Sequence, residues 1–338
     1  MKELEIQVNE AGQRFDKYLK KYLKNAPDSF IYKMLRKKNI VLNKKKADGS
    51  ERLVAGDEIK FFLSEETIEK FKGAVSFSSS GGRECLEPEI VYEDSQVIFF
   101  NKPSGILSQK AKQTDVSMAE YVVSYMLKSG QIKEEELRAF RPSVCNRLDR
   151  NTSGIIAAGK TLAGLQELSE LFRNRTLRKY YLCIVKGTVT QKNYVRGFLK
   201  KDEAVNKVCI LDKNKGGECV PIETEYIPVS YNREMTLLKV HLITGRTHQI
   251  RAHLASLGHP ILGDYKYGER KFNEIYKKKY QITDQLLHAY ELQMPELSGV
   301  LERLSEKKVT AKVPAEFWRV MEDTVWQRGI QEVLEVLH

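Results

Sequence analysis

Apolar positions along this chain follow two periods, which predicts a protein built from both helices and strands. Spacings of three and four predict helices, which we place at 13–23, 117–128, 161–175, 250–257 and 317–334. β-Branched and aromatic runs predict strands, which we place at 90–100 (two strands and a turn), 155–159, 179–187, 237–242 and 286–292. The polar stretch 188–224 predicts hairpins and mobile loops, and the Lys- and Tyr-rich stretch 266–280 predicts a surface helix.

The first sixty residues combine short elements with a concentration of basic side chains. The pattern predicts a second helix beginning near Asp28, a short strand at 39–43 and a closing strand after the turn at 54–57. Between residues 13 and 48 there are twelve Lys and Arg against three Asp, a local net charge of +9. A solvated face is the usual meaning of a lysine run, but these lysines cluster without interspersed acids, which favours a polyanionic partner.

One short stretch carries the most distinctive combination of charged residues. Asp149 lies between Arg147 and Arg150, and the small residues 152–154 follow at once. Arginine keeps a nearby carboxylate ionised, and small polar residues turn the chain sharply. The apolar run 155–159 predicts a buried strand that would hold the loop rigidly. The pattern favours a catalytic loop, although a surface ion pair at a turn has the same sequence signature.

A second distinctive stretch, residues 244–264, predicts a helix with polar residues near its start. One side carries three apolar residues at helical spacing, namely Ile250, Leu254 and Leu257. His248 and Arg251 are three apart and share another face.

Two histidines in this stretch invite a comparison with metal sites. His248 and His253 are five residues apart, so they do not place two imidazoles on one helical face, and no acidic residue lies between them. Core or hydrogen-bonding histidines are therefore favoured over metal ligands.

Composition narrows the class of protein further. The 338 residues are enough for two or three domains, and the formal net charge of +11 favours nucleic acid as a partner over an anionic membrane. No apolar run approaches the roughly 20 residues that span a bilayer, and the N-terminus lacks the features of a secretory signal. The five cysteines are odd in number and form no Cys-x-x-Cys pair, which argues against zinc and disulfides. We expect a cytoplasmic protein.

The N-terminal pattern resembles the S-four-like RNA-binding domain, a small module of ribosomal proteins and RNA-modifying enzymes. The matching features are residues 14–19, the helix ending in Lys37, the strand at 40–43 and the turn at 54–57. The resemblance implies that exposed lysines contact RNA phosphates without regard to sequence. The lysines expected to do so are Lys37, Lys38, Lys44 and Lys45.

An ordered set of motifs in the rest of the chain resembles the RluA-type family of pseudouridine synthases, in particular those of the large ribosomal subunit. The matching stretches are 102–105 (Lys-Pro-Ser-Gly), 147–154, 179–182 (Lys-Tyr-Tyr-Leu), 245–251 with 258–264, and 287–289 (Leu-His-Ala). One residue departs from the family pattern, since Asn146 stands where a His usually precedes Arg-Leu-Asp. The departure concerns local hydrogen bonding and substrate choice.

The resemblance implies an α+β fold in two domains. A small α/β S-four-like domain precedes a catalytic domain whose mixed, mostly antiparallel sheet is flanked by helices around a central active-site cleft. The expected limits are 1–70 for the RNA-binding domain, 71–87 for a flexible Ser- and Gly-rich linker, 88–325 for the catalytic domain and 326–338 for a helical tail.

The resemblance also implies isomerisation of uridine to pseudouridine in structured RNA, with large-subunit ribosomal RNA as the expected substrate. The uracil leaves its nitrogen–carbon bond, turns, and rejoins the same ribose through carbon 5. No outside group is added, so the resemblance implies no cofactor and no metal. The sequence has no P-loop and no dinucleotide-binding fingerprint, in agreement with this. RNA is the expected partner, with no membrane, and we expect a monomer.

Roles for individual residues follow from the same resemblance. Asp149 is the nucleophile at the sugar or the base that removes a ribose proton, and Arg251 keeps it ionised. Tyr181 stacks on the base and places a hydroxyl near the reaction, although the residue alone reads as a half-buried strand tyrosine. Leu287 is an apolar wall under the uracil. The residues expected to contact the flipped-out nucleotide and its RNA are Arg147, Arg150, Arg246 and His248.

Two other functions are open on the sequence. A non-catalytic RNA-binding or ribosome-assembly factor on a degenerate synthase fold has Asn146 as its only support, and the retention of Asp149, Tyr181 and Arg251 argues against it. A carboxylate-based hydrolase needs a second catalytic acid. Asp264 is expected to be structural instead.

Overall fold

The computed structural model describes residues 1–72, 87–112, 114–138, 140–202, 207–214, 216, 219–327 and 332. The strands are β1 (Lys2–Glu5), β2 (Ile40–Leu42), β3 (Lys45–Lys46), β4 (Glu58–Phe61), β5 (Glu89–Glu93), β6 (Val97–Lys102), β7 (Ser143–Val144), β8 (Ser153–Gly159), β9 (Arg178–Lys186), β10 (Asn193–Asp202), β11 (Lys207–Leu211), β12 (Val220–Tyr231), β13 (Met235–Leu242), β14 (Leu287–Gln293) and β15 (Lys308–Thr310). The α-helices are α1 (Phe15–Tyr22), α2 (Asp28–Arg36), α3 (Glu65–Lys72), α4 (Met118–Lys128), α5 (Leu162–Asn174), α6 (Gln249–Ser256), α7 (Arg270–Tyr280) and α8 (Ala315–Asp323).

The N-terminal unit has its own sheet and its own core. Its strands are hydrogen-bonded in the order β1-β4-β2-β3, all antiparallel. Phe15 and Phe61 are fully buried between this sheet and α1 and α2. Ile68 of α3, the helix that runs to Lys72, is buried in the same core. Residues 73–86 of the predicted linker lie outside the described residues, and the domain limits stay a prediction.

The four lysines expected to meet RNA lie at the two ends of β2. All four side chains are exposed, and Lys38 and Lys44 have left-handed backbones with φ of 62° and 63°. Both are turn positions, one where α2 ends and one in the hairpin between β2 and β3. The turns therefore project the lysines away from the core.

The rest of the described chain is organised around one large sheet. Its path is β11-β10-β12-β13-β9-β14-β8-β6-β5, with β15 paired to β14 and β7 paired to β8. Every pairing is antiparallel except that of β14 with β8. The prediction of a mixed, mostly antiparallel sheet is confirmed.

Helices cover both faces of this sheet. Near one end, α4 packs on the face that carries Phe100, and α5 packs on the opposite face that carries Phe99. Near the centre, α6 packs on the face that carries Tyr181, whereas α7 and α8 cover the face that carries Leu182. Alternation along each strand therefore supplies two apolar faces, as expected for a sheet buried on both sides.

Three sequence predictions differ from the structure. The predicted hairpin in 188–224 is present as the antiparallel pair of β10 and β11, but the described part of this stretch consists mainly of the strands β10, β11 and the start of β12 and not of loops. Leu257 follows α6 and is 39% exposed, so the predicted apolar stripe ends at Leu254, and α6 is instead buried along most of its length. The predicted surface helix begins at Arg270 and buries Phe272, Tyr276 and Tyr280.

The C-terminal helix ends earlier than its apolar pattern suggests. α8 stops at Asp323, and Trp326 beyond it packs on the same core as Phe317. Most of the predicted helical tail at 326–338 lies outside the described residues. Within the described parts of the chain, no helix is long and apolar enough to cross a membrane.

Candidate active site

The candidate site lies where β9, β14 and β8 run side by side in the middle of the large sheet. The Asp149 loop directly precedes β8, Tyr181 lies in β9, and Leu287 begins β14. Ala289 pairs with Gly154 on one side and with Tyr181 on the other. The register therefore brings together three motifs that are distant from one another along the chain.

The Asp149 loop is fixed by hydrogen bonds from the segment after β6. The Ser108 hydroxyl accepts from the Leu148 N–H at 2.9 Å and donates to the Leu148 carbonyl at 3.0 Å. The Gly105 N–H donates to the Arg150 carbonyl at 3.0 Å, and the Thr152 N–H closes a turn onto the Asp149 carbonyl at 3.1 Å. A loop anchored on both sides of Asp149 holds its carboxylate in one place.

Lys102, in the Lys-Pro-Ser-Gly turn, is fully buried beneath this loop. Its ammonium donates to the carbonyls of Pro103, Ile106 and Arg150 at 2.9, 2.8 and 2.9 Å. Burial lowers the pKa of Lys102 to about 7, and the charge of Asp149 opposes the shift. Three carbonyl acceptors match the three N–H donors of a lysine, so the turn and the Asp149 loop are tied together.

Arg251 lies between two carboxylates. Its Nη1 donates to Oδ2 of Asp149 at 2.9 Å, and its Nε and Nη2 donate to the two oxygens of Asp264 at 2.7 and 3.0 Å. Burial lowers the pKa of Arg251, but its bonds to the two carboxylates more than offset this, so the net shift is upward. The same contacts overcome the burial of Asp264 and lower the pKa of that carboxyl. Asp264 therefore orients the guanidinium that bonds to Asp149.

Tyr181 and Leu287 form apolar parts of a cavity above Asp149. The cavity measures about 470 Å³, within the usual range of small-molecule sites. Tyr181 is 7% exposed, and burial together with the charge of Asp149 raises the pKa of its hydroxyl. The phenol therefore stays protonated at neutral pH and can donate a hydrogen bond.

The remaining predicted residues are divided between this cavity and the N-terminal unit. Arg147, Arg150, Arg246 and His248 all line the cavity, and the three arginines are exposed. Lys37, Lys38, Lys44 and Lys45 are not among its lining residues. The structure thus brings together every predicted site residue except those four lysines.

The segment before α6 is held by the side chain of Gln249. Its Oε1 accepts from the Thr244 hydroxyl at 2.8 Å and the Arg246 N–H at 3.1 Å. Its Nε2 donates to the Glu223 carbonyl and the Thr224 hydroxyl, both at 3.0 Å. Gln249 therefore fixes the turn that carries Arg246 and His248 to the cavity.

Asn146, the residue that departs from the family pattern, faces the sheet and does not line the cavity. Its amide Nδ2 donates to the Ile155 carbonyl at 3.1 Å, and its Oδ1 accepts from the Ala157 N–H at 2.8 Å. The side chain thus pairs with β8 like a short piece of strand and anchors the start of the Asp149 loop.

The histidines of the second stretch have different neighbours. His253 is buried, and its Nδ1 lies 3.0 Å from the Thr224 hydroxyl. His248 lies 2.9 Å from the Tyr267 hydroxyl through Nδ1 and 3.8 Å from Asp149 through Nε2. Among the residues that the structure describes, no group of three or more His, Cys, Asp or Glu is arranged to hold a metal ion.

Sequence reasoning missed two residues of this site. Tyr267 contacts both His248 and, through its ring, the guanidinium of Arg251 at 5.3 Å. Lys102 was recognised only as part of a turn motif. Tyr267 lies three residues beyond the end of the 258–264 signature, and periodicity gives no sign of a side chain that reaches across to another element.

Several known proteins are similar to this chain in sequence. Residues 96–256 match the family model described as RNA pseudouridylate synthase. The chain is 34% identical to ribosomal large subunit pseudouridine synthase C of Vibrio cholerae over 93% of each protein. It is 33% identical to the Escherichia coli protein of the same name, over 79% of this chain and 80% of that relative.

The solved structures agree at the level of the fold. Human RNA Pseudouridylate Synthase Domain Containing 4 matches with a TM-score of 0.56 and 21% identity, covering 71% of this chain and 94% of that chain. The family model and the similar proteins identify an RNA pseudouridine synthase, an isomerase. The chain belongs to the RluA-type family of RNA pseudouridylate synthases.

Proposed function

We propose that this protein converts specific uridines of large-subunit ribosomal RNA to pseudouridine, with Asp149 as the catalytic carboxylate. The relatives named ribosomal large subunit pseudouridine synthase C support the substrate, since they match over most of both chains. The observation that carries the mechanism is the 2.9 Å bond between Arg251 and the Asp149 carboxylate in a cavity that also holds Tyr181 and Leu287.

The chemistry follows from this arrangement. Asp149 attacks the ribose at carbon 1 or removes the proton at carbon 2, and in either case the nitrogen–carbon bond to uracil breaks. Carbon 5 of the turned base then bonds to carbon 1 of the ribose. This step releases Asp149 from carbon 1 in the first route and returns the proton to carbon 2 in the second. The proton of carbon 5 is lost and the freed nitrogen gains one, so atoms balance without another reactant. Tyr181 stacks on the base and directs its hydroxyl to the proton transfer, and Leu287 supports the ring.

The basic residues bind the RNA in two places. Arg147, Arg150 and Arg246 hold the strand around the flipped-out nucleotide at the mouth of the cavity. The four lysines at the ends of β2 contact the RNA backbone elsewhere. We propose that the protein acts as a monomer in the cytoplasm.

The test is a map of pseudouridine in ribosomal RNA from cells with and without this protein, by carbodiimide treatment and primer extension. We expect one or a few large-subunit sites to disappear in its absence and to return with the wild-type chain. Asp149→Asn should fail to restore them while binding RNA as wild type does. Asp212→Asn, which changes an exposed aspartate outside the cavity, is the matched control and should restore them.

Two results would contradict the proposal in different ways. An unchanged ribosomal map would exclude this substrate, and purified protein with labelled transcripts of other RNAs would then identify the true one. Turnover by Asp149→Asn would exclude Asp149 as the catalytic carboxylate whatever the substrate. A protein that binds ribosomal RNA without modifying any transcript would favour the assembly-factor alternative.

A further inference from the structure

A line of hydrogen-bonding groups runs from strand β11 to the carboxylate of Asp149. The Val208 N–H lies 3.0 Å from the Tyr267 hydroxyl oxygen, and that oxygen lies 2.9 Å from Nδ1 of His248. Nε2 of His248 then lies 3.8 Å from Oδ2 of Asp149. His248 was expected to contact RNA, but its ring nitrogens face Tyr267 and Asp149.

The direction of each hydrogen bond follows from the donors available. A backbone N–H can only donate, so the Tyr267 oxygen accepts from Val208. Nδ1 of His248 could donate to this oxygen or accept from it, but the Tyr267 O–H has no other acceptor among the described contacts, so it is directed at Nδ1, which accepts with its lone pair. A neutral imidazole that accepts at Nδ1 carries its proton at Nε2, and that proton faces Asp149.

The surroundings keep this imidazole neutral near pH 7. Burial lowers the pKa of His248, the charge of Asp149 opposes that shift, and the charges of Arg251 and Lys266 add to it. Asp264 is a further, weaker opposing charge, and Lys207 lies over the Tyr267 ring at 5.4 Å.

The backbone of His248 is also unusual. It lies in the left-handed region, with φ of 55°, at the residue before α6. A non-glycine residue in that region is strained, and such strain is often found where a side chain is held for function. The ring contacts that of Tyr267 edge-on, with centroids 5.6 Å apart. The contact with Tyr267 therefore fixes the orientation of the His248 ring.

We propose that His248 is a positioning residue for Asp149, with its tautomer set by Tyr267. Its Nε2–H forms a second hydrogen bond to Oδ2 beside that of Arg251 when the nucleotide binds. A separation of 3.8 Å is too long for a hydrogen bond in the free enzyme, but such bonds commonly tighten in the complex. Arg251 and His248 both face Oδ2, so Oδ1 is the oxygen left to react.

The inference rests on the proposed function, so the wild-type rate is measured first. Single-turnover loss of tritium from carbon 5 of labelled uridine, in a large-subunit ribosomal transcript at saturating protein, reports the reaction itself. His248→Leu and His248→Gln are a matched pair, because both lose the ring and both carry the strained backbone, but only Gln keeps an N–H of similar reach.

We expect His248→Leu to slow the reaction about 10- to 100-fold, the range of one hydrogen bond to a charged group. RNA affinity should stay that of wild type, and His248→Gln should recover most of the rate. Tyr267→Phe removes the O–H that fixes the tautomer of His248, so part of the neutral imidazole no longer carries its proton at Nε2. The variant should therefore react more slowly than wild type at pH 8. The ratio of wild-type to Tyr267→Phe rates should fall towards one as the pH falls through the lowered pKa of His248, because an imidazolium carries a proton on both nitrogens.

Each other result overturns the inference. An inactive wild type would remove the proposed function together with it. If the wild type is active, two outcomes would exclude a hydrogen bond from His248 to Asp149. Either His248→Leu reacts as fast as wild type, or His248→Gln is slowed as much as His248→Leu. A pH-independent ratio for Tyr267→Phe would exclude control of the tautomer. A loss confined to RNA affinity would make His248 an RNA contact.

Discussion

Arg251 shows how one side chain connects the packed interior to the candidate site. The guanidinium presents two N–H groups to Asp264 along one edge and a third to Asp149. The side chain of Asp264 is 1% exposed, and its Oδ1 also accepts from the N–H groups of Lys266 and Tyr267 at 2.9 and 3.1 Å. A planar fork held in this way has one orientation, which a lysine could not reproduce.

Removing the charge of Asp264 should destabilise the protein strongly. We expect Asp264→Asn to lower the free energy of unfolding at pH 7 by about 3–5 kcal/mol, because a buried arginine is left without its main partner. Urea unfolding followed by tryptophan fluorescence measures this, since both tryptophans, Trp318 and Trp326, pack on the core beside the large sheet.

The pH dependence of this effect has a definite sign. The folded pKa of Asp264 is lowered below that of the unfolded chain, so its charge stabilises the fold above about pH 4 and less as pH falls through the folded pKa. The difference between wild type and Asp264→Asn should therefore be constant from pH 7 to pH 5 and narrow below pH 4. The exposed control Asp212→Asn should have the same free energy of unfolding as wild type at pH 7 and below pH 4. An equal loss of stability in Asp264→Asn and Asp212→Asn would contradict this role of Asp264.

Asn146 illustrates a residue whose role only the packing reveals. In the sequence, its departure from the family pattern leaves the hydrogen bonding next to Asp149 open and supports the non-catalytic alternative. In the structure its amide bonds to two backbone groups of β8, the Ile155 carbonyl and the Ala157 N–H. It holds the loop in place and has no contact with the cavity, so it gives that alternative no support.

At the scale of elements, the parallel pairing of β8 with β14 decides where the site forms. Gly154 of β8 has φ of 108°, and a Cβ there would lie 2.3 Å from the carbonyl oxygen of Ala289 in β14. Only glycine allows the two backbones to approach this closely. The approach places the end of the Asp149 loop beside Leu287 and, across β14, beside Tyr181.

A methyl group at position 154 should force these strands apart. We expect Gly154→Ala to lower the free energy of unfolding by roughly 2–5 kcal/mol, combining about 1–2 kcal/mol of backbone strain with about 1–3 kcal/mol of overpacking. Gly130→Ala is the control, because Gly130 has φ of 70° but open space around it, so only the strain applies. Thermal and urea unfolding compare the two, and similar losses would argue against the close approach of the backbones.

The strands from 193 to 231 show why sequence patterns failed for that part of the sheet. β10 and β11 lie at its edge, where one face is largely exposed, and their apolar positions are interrupted by lysine, asparagine and glycine. Leu199, Val208 and Ile222 nevertheless share a small core with Ala252 of α6. Long-range pairing stabilises these strands, and local propensity carries little information about it.

At the scale of the whole molecule, positive charge is distributed unevenly. The chain has a net charge of +11, and residues 13–48 alone contribute +9. The cavity has its own cations at Arg147, Arg150 and Arg246. A long RNA can contact both regions, with phosphates bound by the N-terminal unit and the target nucleotide bound at Asp149.

Neutralising the N-terminal lysines should weaken RNA binding through electrostatics alone. We expect the fourfold Lys→Ala variant at 37, 38, 44 and 45 to reduce the slope of log affinity against log salt. The reduction should be up to about 0.7–0.9 for each RNA phosphate that these lysines neutralise in the wild type. The rate of modification at saturating RNA should stay that of wild type. Fluorescence anisotropy with a ribosomal transcript at several salt concentrations measures the slope.

The helix α7 offers a control with the same change in charge. Lys271, Lys277, Lys278 and Lys279 are also exposed, on a different unit of the fold. Their replacement by alanine should change the slope less than the N-terminal variant does. The reverse order would move the main phosphate contact to the catalytic unit.

The sequence by itself determined the family and the kinds of element. The ordered motifs resemble the RluA-type family, and that resemblance predicted Asp149, Tyr181, Arg251 and Leu287 as site residues. The apolar periods predicted most helices and strands, because such periods depend on local neighbours in the chain. Those four side chains line one cavity, as the resemblance of their motifs to one family implies. Their catalytic roles stay predictions until turnover is measured.

Only the tertiary structure decided how these residues work together. The bond from Arg251 to Asp264, the burial of Lys102 and the line through Tyr267 to His248 join residues on different elements. Such contacts depend on strand register and on the close approach of β8 and β14, which arise from long-range pairing. No period or motif in the chain encodes the direction in which a buried side chain donates its hydrogen bond, because that direction is set by partners that only folding brings near.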